Sequence, residues 1–562
     1  MTSVAPFMIF FVGALLVAFT DGRVRQGVLL AIPVLGAINL LGLGQGAGLQ
    51  VELMDYRLTL VRVDSLSLLF GILFHLAAFI AILFSLHLRD TLQQVTGVLY
   101  AGSALGAVFA GDLITLFIFW ELLAITSVFL VLARRTERAF GSAMRYITIQ
   151  VTSGVILLAG VLVRSFQTGS IEFGFIGLEG LAGWLIFIAI GIKCAFPLLH
   201  NWLTDSYAEA TPTGTVFLSA FTTKVAVYAL ARAYPGTELL IYIGAVMTMF
   251  PIFYAVIEND LRRVLAYSMI NQIGFMVCGI GIGTALALNG AVAHAFNDVI
   301  FKGLLFMSMG AVLYRTGKIN GSELGGLYKS MPYTTGFCIV GAASISAFPL
   351  FAGFVSKSMV MLAALETGHP IVWLALLFAS AGVFHHAGIK IPFFAFFSYD
   401  SGIRTKEAPL NMLIAMGLAA FICIFNGSYP WVLYSLLPYP VDYEPYTVSH
   451  VLTQSQLLFF SALAFCWLKL AGLYPPELPG VNIDAEWSYR KALPAAARWG
   501  YAMAVAFRQN VVDRLQRRLE RLMREIYRHH GPQGILARTW PTGSMAFWAT
   551  LLLGAYLILY YL

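Results

Sequence analysis

Residues 288–314 read LNGAVAHAFNDVIFKGLLFMSMGAVLY, an apolar run that is long enough to cross a membrane yet carries three ionisable side chains. A bilayer core of about 30 Å needs about 20 apolar residues per helix. His294, Asp298 and Lys302 are spaced i, i+4 and i+8, which places them on one face of that helix. Burying one charge in a membrane costs at least about 2.5–3.5 kcal/mol on insertion scales. A row of three therefore predicts a function, with helix packing by hydrogen bonds as the alternative.

The rest of the chain has the same composition. Of its 562 residues, 59% are hydrophobic and only 11% are charged, whereas soluble proteins carry about 25% charged residues. This excludes a soluble enzyme, a disordered chain and a nucleic-acid binder, and it predicts a polytopic membrane protein. The five cysteines lie in apolar stretches and form no C-x-x-C pattern. They indicate neither a disulfide framework nor a metal or iron–sulfur site.

Further apolar stretches mark the other spans. They lie near 4–20, 27–44, 65–87, 95–111, 113–133, 147–164, 182–199, 213–233, 237–257, 265–284, 333–348, 349–364, 369–391, 410–426, 453–474 and 545–562. The pairs 182–199/213–233 and 349–364/369–391 are each interpreted as one broken helix, which gives about fifteen helices. Broken helices at corresponding places in two halves are typical of a transport pathway.

Five regions follow from this pattern. They are N-terminal helices over 1–110 with an extramembrane hairpin at 45–64, a first transport half over 111–257, a second transport half over 258–391, peripheral helices and a loop over 392–485, and a basic amphipathic helix with a membrane anchor over 486–562. The positive-inside rule leaves the orientation unsettled. With the N-terminus outside, Arg134 and Arg145 fall inside, but Arg262 and Arg263 fall outside.

Other ionisable residues also lie within apolar runs. Glu121 is in the middle of AGDLITLFIFWELLAITSVFLVLARR (110–135) and cannot reach an interface. Lysine can release its proton when a carboxylate partner moves away, whereas arginine stays charged. Histidine can pass protons between such lysines. The residues predicted to translocate protons are Glu121, Lys193, His200, Lys224, His294, Asp298, Lys302, Lys357 and His386.

These residues lie in stretches that resemble the antiporter-like membrane subunits of respiratory complex I and of Mrp-type cation/proton antiporters, most closely the D-type subunit of the latter. The stretches include FIFWELLAITS (117–127), TVFLSAFTTKVAVYALAR (215–232), RRVLAYSMINQIGFM (262–276), KGLLFMSMGAVLYRTG (302–317) and FAGFVSKSMVM (351–361). The resemblance implies an all-α core of about 14 helices with two inverted five-helix repeats, each with a broken helix. It also implies a C-terminal amphipathic lateral helix and a final membrane helix.

The resemblance assigns roles to individual residues. Glu121 is similar to the family's membrane glutamate, Lys193 to its first broken-helix lysine and Lys224 to its bridging lysine. Lys302 is similar to the central lysine and Lys357 to the exit-side residue. Two departures stand out: HAFNDVIFK adds Asp298 where many relatives have His-Ala-Phe/Leu-Phe-Lys, and some relatives carry Glu in place of Lys357.

The C-terminal region predicts a basic amphipathic helix that lies in the membrane interface or on a partner. Its apolar side is formed by Phe507, Val511, Leu515, Leu519, Leu522 and Ile526, and its basic side by Arg514, Arg517, Arg518, Arg521, Arg524 and Arg528.

The function expected from these patterns is that of a proton-translocating subunit of a multisubunit membrane complex, similar to the D-type subunit of a Mrp-type Na⁺(cation)/H⁺ antiporter. Its expected partners are other membrane subunits, protons, Na⁺ and lipid, and its expected location is a prokaryotic inner (plasma) membrane. Two alternatives stay open: a proton-pumping subunit of a complex I-like or membrane-bound hydrogenase complex, and a membrane subunit of an inorganic-carbon uptake complex. No cofactor and no chemistry of its own are predicted, although a place in a redox-driven proton translocase stays open. An oxidoreductase with its own cofactor is disfavoured because the chain has no Gly-rich dinucleotide motif and no cysteine cluster.

Overall fold

The computed structural model describes residues 4–46, 48–53, 56–480, 482–539 and 541–562. The chain divides into one unit that ends at Asp484 and a second that spans Ala485–Leu562. Twelve described helices are long and apolar enough to cross a membrane. The predicted all-α polytopic membrane fold is therefore confirmed.

The N-terminal part holds four helices and the one hairpin in the described residues. Its elements are α1 (Pro6–Phe19), α2 (Gly22–Gly42), β1 (Gly48–Leu53), β2 (Tyr56–Arg62), α3 (Ser65–Ser85) and α4 (Thr91–Phe109). Strands β1 and β2 pair antiparallel where alternating residues predicted a hairpin. Asp64 begins α3 with a capping box that satisfies otherwise unpaired amide groups. The backbone N–H of Thr59 donates to Asp112 Oδ2 at 2.6 Å, so the hairpin is fixed to the start of the next helix.

The next helices complete the first repeat. They are α5 (Leu113–Leu132), α6 (Glu137–Thr168), α7 (Gly180–Lys193), α8 (Asn201–Glu209), α9 (Gly214–Ala220) and α10 (Thr222–Ala233). The second repeat follows with α11 (Glu238–Ile257), α12 (Leu261–Ile282), α13 (Ala285–Thr316), α14 (Pro332–Ile345), α15 (Ala352–Glu366) and α16 (Pro370–Val383), which continues in π-helical turns to Phe397.

The two repeats correspond residue by residue over their central helices. Helices α6 and α13 each have 32 residues, and α7 and α14 each have 14. Thr136 caps the start of α6 and Thr284 the start of α13, while Gly169 and Gly317 end them with φ of 67° and 70°. The amino acids differ, but the caps and lengths produce the same two long helices.

The helix breaks lie elsewhere than the sequence pattern indicated. Residues 194–200 separate α7 from α8, and residues 346–351 separate α14 from α15, so each break contains one of the two AFPL motifs. The stretches 213–233 and 369–391 are spans of their own, Gly214–Ala233 and Pro370–Phe397. The interpretation of each stretch as half of a broken helix was therefore wrong. The first polar connector contains the buried helix α8 and the buried residues Ala210, Thr211 and Thr213, whereas ETGHP (366–370) is a largely exposed turn between α15 and α16.

Both breaks store backbone strain. Ala195 and Leu198 in the first break have φ of 60° and 70°, and Ala347 and Leu350 in the second have 59° and 74°. The left-handed region costs a residue with a side chain about 1–2 kcal/mol. The same strain at matching positions shows that the tertiary structure imposes the same break twice.

The positive-inside rule placed some arginines on opposite sides of the membrane, but these arginines lie at one end of the bundle. Arg134 and Arg138 pair with Glu209 at the end of α8, at 3.3 and 2.8 Å. The buried Arg262 donates from Nη2 to the carbonyls of Tyr207 and Ala210 near the same helix end, at 3.1 and 2.9 Å. The count placed these groups on opposite faces because it took two crossings, α7/α8 and α9/α10, for one.

The elements after the second repeat are α17 (Leu410–Ser428), the short α18 (Trp431–Tyr434) and α19 (Val448–Leu470). They bond to the second break: the amide N–H of Leu350 donates to the Tyr446 hydroxyl at 3.2 Å, and Gln454 Nε2 donates to the carbonyl of Ser346 at 3.2 Å. The second unit contains α20 (Leu493–His530) and α21 (Thr542–Tyr561). The residues of the predicted apolar and basic sides, 507–528, lie within the 38-residue α20.

Candidate functional site

The first half places an acid beside a base. Glu121 on α5 fits against Gly154 on α6, where an added Cβ would overlap the Glu121 carboxylate. The glycine thus provides the space for the acid. Lys193, at the last turn of α7, is fully buried, donates from Nζ to the carbonyl of Trp120, and lies 4.5 Å from the centre of the Trp120 ring. Glu121 and Lys193 interact electrostatically.

An ion pair joins the two halves. Lys224 Nζ on α10 lies 2.6 Å from Asp298 Oδ2 on α13, and both side chains are fully buried. The other oxygen of Asp298, Oδ1, has no hydrogen-bond partner in the described residues. Asp298 shares a helix face with Lys302, but the structure pairs it directly with Lys224, a lysine of the first half.

The central row on α13 lies inside the bundle, as its spacing predicted. His294 is held at both ring nitrogens: Nδ1 is 3.0 Å from Ser356 Oγ, and Nε2 is 3.1 Å from Gln272 Oε1. Lys302 Nζ donates to Ser268 Oγ on α12 at 2.8 Å. Lys302 also interacts electrostatically with Asp298, so the three predicted residues form one group.

Lys357 on α15 is connected to the second break. Its Nζ donates to the carbonyl of Ile345, the last residue of α14, at 3.0 Å. A cavity of about 550 Å³ extends from Lys357 and the buried Gln454 to the exposed side chains of Asp442 and Glu444. The loop around residues 442–447, which shows no functional pattern in the sequence, therefore lines a cavity that leads from the buried Lys357 to the surface.

His386 and His200 lie apart from this row. His386 is buried in a π-helical turn after α16, and neither of its ring nitrogens has a hydrogen-bond partner in the described residues. Its electrostatic neighbours include Lys302. His200 precedes α8 at the first break and was predicted to bridge Lys193 and Lys224. Its Nε2 instead lies 3.1 Å from Asp484 Oδ2.

A second buried ion pair was missed because half of it lies outside the apolar runs. Lys390 Nζ is 2.9 Å from Glu477 Oε1 and donates to the carbonyl of Glu258 at 2.6 Å. Burial raises the pKa of the Glu477 carboxyl, although the Lys390 ammonium opposes that shift. The sequence signal for this pair is weak. It consists of the acidic residues in PPELPGVNIDAE (475–486), a stretch with little regular pattern.

Residues 110–384 match the protein-family model described as NADH:quinone oxidoreductase/Mrp antiporter, TM. Over this region, just under half of the chain, the sequence is similar to that family. The match extends from the residue after α4 to the first π-helical turn, so it contains Glu121, the Lys224–Asp298 pair, the row on α13 and Lys357. Most of the predicted antiporter-family stretches therefore lie in the matched region.

Several curated proteins are similar to longer parts of the chain. Hydrogenase-4 component B of Escherichia coli is 26% identical over 494 residues, which cover 78% of this chain and 72% of that protein. The A-type subunit of a Na⁺/H⁺ antiporter from Alkalihalophilus pseudofirmus is 30% identical over 431 residues, which cover 66% of this chain and 53% of that protein. The D-type subunit of that organism's Na⁺/H⁺ antiporter is 29% identical over 355 residues, 59% of this chain and 72% of the relative. The chain therefore spans about half the length of the A-type relative.

Solved structures share the fold. The Mrp complex from Dietzia sp. DQ12-45-1b matches with a TM-score of 0.77 at 24% identity, over 89% of this chain and 60% of that chain. An archaeal respiratory complex, the membrane-bound sulfane sulfur reductase, matches with a TM-score of 0.72 at 22% identity, over 99% of both chains. These likenesses show that the chain shares the fold of the matched chains.

Proposed function

We propose that this chain translocates protons within a multisubunit membrane complex, in the manner of the D-type subunit of a Mrp-type Na⁺(cation)/H⁺ antiporter. The observation that carries the proposal is the buried Lys224–Asp298 pair, 2.6 Å long, between a helix of the first half and a helix of the second. It links Glu121 and Lys193 on one side with Lys302 and Lys357 on the other.

The chemistry follows from the surroundings of each lysine. A buried ammonium is unstable by itself, and a neighbouring carboxylate stabilises it. When Asp298 pairs with Lys224, the hydrogen bond that the Lys302 ammonium makes in the described residues goes to a neutral hydroxyl, that of Ser268. A shift of Asp298 from Lys224 toward Lys302 would stabilise a proton on Lys302 and destabilise one on Lys224. The two lysines thus provide alternate proton sites controlled by one acid.

The cavity beside Lys357 supplies the last step to the surface. Lys357 is buried at its inner end, and Asp442 and Glu444 are exposed at its outer end. A proton released by Lys357 would meet carboxylates that attract it before it enters bulk water. We assign this cavity to proton release.

The wider setting follows the relatives. Those named as A-type and D-type Na⁺/H⁺ antiporter subunits support other membrane subunits as partners, Na⁺ as the exchanged cation and a bacterial inner membrane as the location. The basic side of α20 fits anionic lipid headgroups or a partner subunit.

A second candidate is the proton-pumping subunit of a redox-driven complex. The observation in its favour is length: the fold match to the sulfane sulfur reductase complex covers 99% of both chains. The match to the hydrogenase relative also covers 78% of this chain, more than the matches to the two antiporter relatives do. Both candidates use the same buried residues and differ in the partners that drive transport.

The decisive experiment measures dye-quench transport in everted vesicles from cells that express the chain with the products of its neighbouring genes. Lys302→Ala and Lys302→Arg should both abolish transport, because arginine keeps the charge but cannot release the proton. Lys318→Arg, on an exposed lysine, is the matched control and should transport normally. Transport driven by a Na⁺ gradient supports the antiporter, and transport that needs an electron donor supports the redox pump. An active Lys302→Arg would overturn both.

A further inference from the structure

The segment between α19 and the end of the first unit is fixed in the bundle by several contacts. Glu477 pairs with the buried Lys390, Asn482 Nδ2 donates to Glu258 Oε2 at 3.3 Å, and the Tyr254 hydroxyl donates to the carbonyl of Ile483 at 3.2 Å. These contacts hold the segment beside the ends of α11 and α16. They also place its last residue, Asp484, at a defined depth.

Asp484 reaches the first helix break. Its Oδ2 accepts a hydrogen bond from the Tyr267 hydroxyl at 2.6 Å and lies 3.1 Å from His200 Nε2. All three residues are buried, with exposed fractions of 8%, 4% and 2% for Asp484, Tyr267 and His200. The segment therefore ends in a carboxylate that is bonded to the break of the first half.

This geometry defines the protonation of His200. An ionised carboxylate accepts hydrogen bonds and cannot donate one. The neutral imidazole must therefore carry its hydrogen on Nε2, the nitrogen that faces Asp484. Nδ1 is then the atom with a free lone pair. It is buried and has no hydrogen-bond partner in the described residues. The Phe250 ring packs against the imidazole, with the ring centroids 4.7 Å apart and the ring planes tilted by 54°.

We propose that Asp484 is the positioning residue of a further proton-binding site, in which His200 Nδ1 accepts the proton. Hydronium donates to Nδ1, one N–H bond forms as one O–H bond breaks, and a water molecule leaves. The Asp484 carboxylate balances the positive charge of the imidazolium. The site rests on the proposed function and adds an acceptor at the first break that depends on a residue beyond the repeats.

The alternative is that Asp484 only holds the segment in place. Glu477, Asn482 and the carbonyl of Ile483 already do so, and none of them contacts His200 in the described contacts. The other titratable groups near the site are Tyr267 and Arg263 on α12, Tyr254 on α11, Glu258 at the end of α11 and Asp205 on α8. The test must therefore separate an effect through His200 from a general change in charge.

The experiment compares pH profiles of dye-quench transport for the full chain in everted vesicles. Asp484→Asn should move the pH of half-maximal transport about one unit lower, since the imidazolium loses its counter-charge. Asp484→Glu should restore the wild-type profile. Tyr267→Phe removes one hydrogen bond from the same carboxylate, so it should cause a measurable shift even if Asp484→Asn fails to fold.

The decisive arm repeats Asp484→Asn in a His200→Gln background, where no further shift is expected because the acceptor is gone. Asp400→Asn, an exposed aspartate that pairs with Arg404, is the control and should keep the wild-type profile. Unmoved profiles for Asp484→Asn and Tyr267→Phe, or an equal shift in the His200→Gln background, overturn the site. Failure of the proposed function is distinguished by Lys302→Ala, which would then still transport.

Discussion

The two helix breaks have the same backbone and different charges. Each contains AFPL with its first and last residues in the left-handed region. In the first, the ammonium of Lys193 comes from the residue two positions before the motif. In the second, that position is Ile345, and Lys357 reaches the Ile345 carbonyl from the other side of the break, at 3.0 Å. Each break therefore has a lysine ammonium beside it. The lysine comes from the helix before the break in the first half and from the helix after the break in the second.

The long helices α6 and α13 carry different residues at matching positions. The equal bounds and caps of α6 and α13 align Gly154 with Lys302, and the matching N-caps Asp112 and Asp260 align Glu121 with Met269. In the first half, the acid Glu121 lies on α5, and Gly154 on α6 leaves space for its carboxylate. The second half carries a base on the long helix, and its only acid in the row, Asp298, binds a lysine of the first half. The two halves have matching helices, but the Lys224–Asp298 ion pair takes one residue from each half.

The largest effect should come from breaking the connection between the halves. Lys224→Ala leaves Asp298 buried and unpaired, which costs about 3–5 kcal/mol, so both the melting temperature and transport should fall. The double variant Lys224→Met/Asp298→Leu replaces the pair by apolar groups and should recover the melting temperature without transport. Thermal unfolding of the purified protein and dye quenching give the two readouts. A double variant that transports would show that the pair only packs the bundle.

Glu121→Gln should abolish transport while assembly persists, because the amide keeps the size of the side chain but cannot hold a negative charge beside Lys193. The partners that co-purify and the dye quench in everted vesicles measure the two effects separately. Glu137→Gln, on the same pair of helices but exposed, is the control and should behave as wild type. Normal quenching by Glu121→Gln at wild-type expression would remove this residue from the pathway.

Two glycines on the corresponding long helices, Gly154 on α6 and Gly303 on α13, allow a narrower comparison. Gly154→Ala should reduce transport strongly, because its methyl group displaces the Glu121 carboxylate. Gly303→Ala, on the corresponding helix α13, meets no atom within 4 Å and should transport normally with equal or slightly greater stability. Dye quenching and melting temperature check both variants. Equal activity of the two would mean that the space beside Glu121 has no role.

The smallest effect concerns the breaks. Ala195→Gly and Ala347→Gly relieve left-handed strain, so each should change stability by no more than about 1 kcal/mol and in the same direction. Ala189→Gly, inside α7, should instead destabilise by about 1 kcal/mol. Melting temperatures test this equality. Opposite signs for the two break variants would show that the breaks are held differently in spite of their common geometry.

Much of the site was predictable because buried charge is conspicuous in an apolar sequence. Glu121, Lys193, Lys224 and Lys357 stood out against their surroundings, and the row on α13 followed from helical spacing alone. Asp484 and Glu477 did not, because they lie in a polar segment where a carboxylate is unremarkable. Their importance comes from being buried against His200 and Lys390, which is a property of the packing.

The sequence by itself determined the membrane environment, the helical class and the residues that carry charge inside the bundle, because hydropathy and spacing act locally along the chain. The structure showed that each helix breaks at an AFPL motif, where Ala195 and Ala347 adopt a left-handed conformation that the apolar pattern does not indicate. It also decided which charges meet: Lys224 and Asp298 are far apart in the chain, and a 2.6 Å contact between them depends on how the two repeats close on each other.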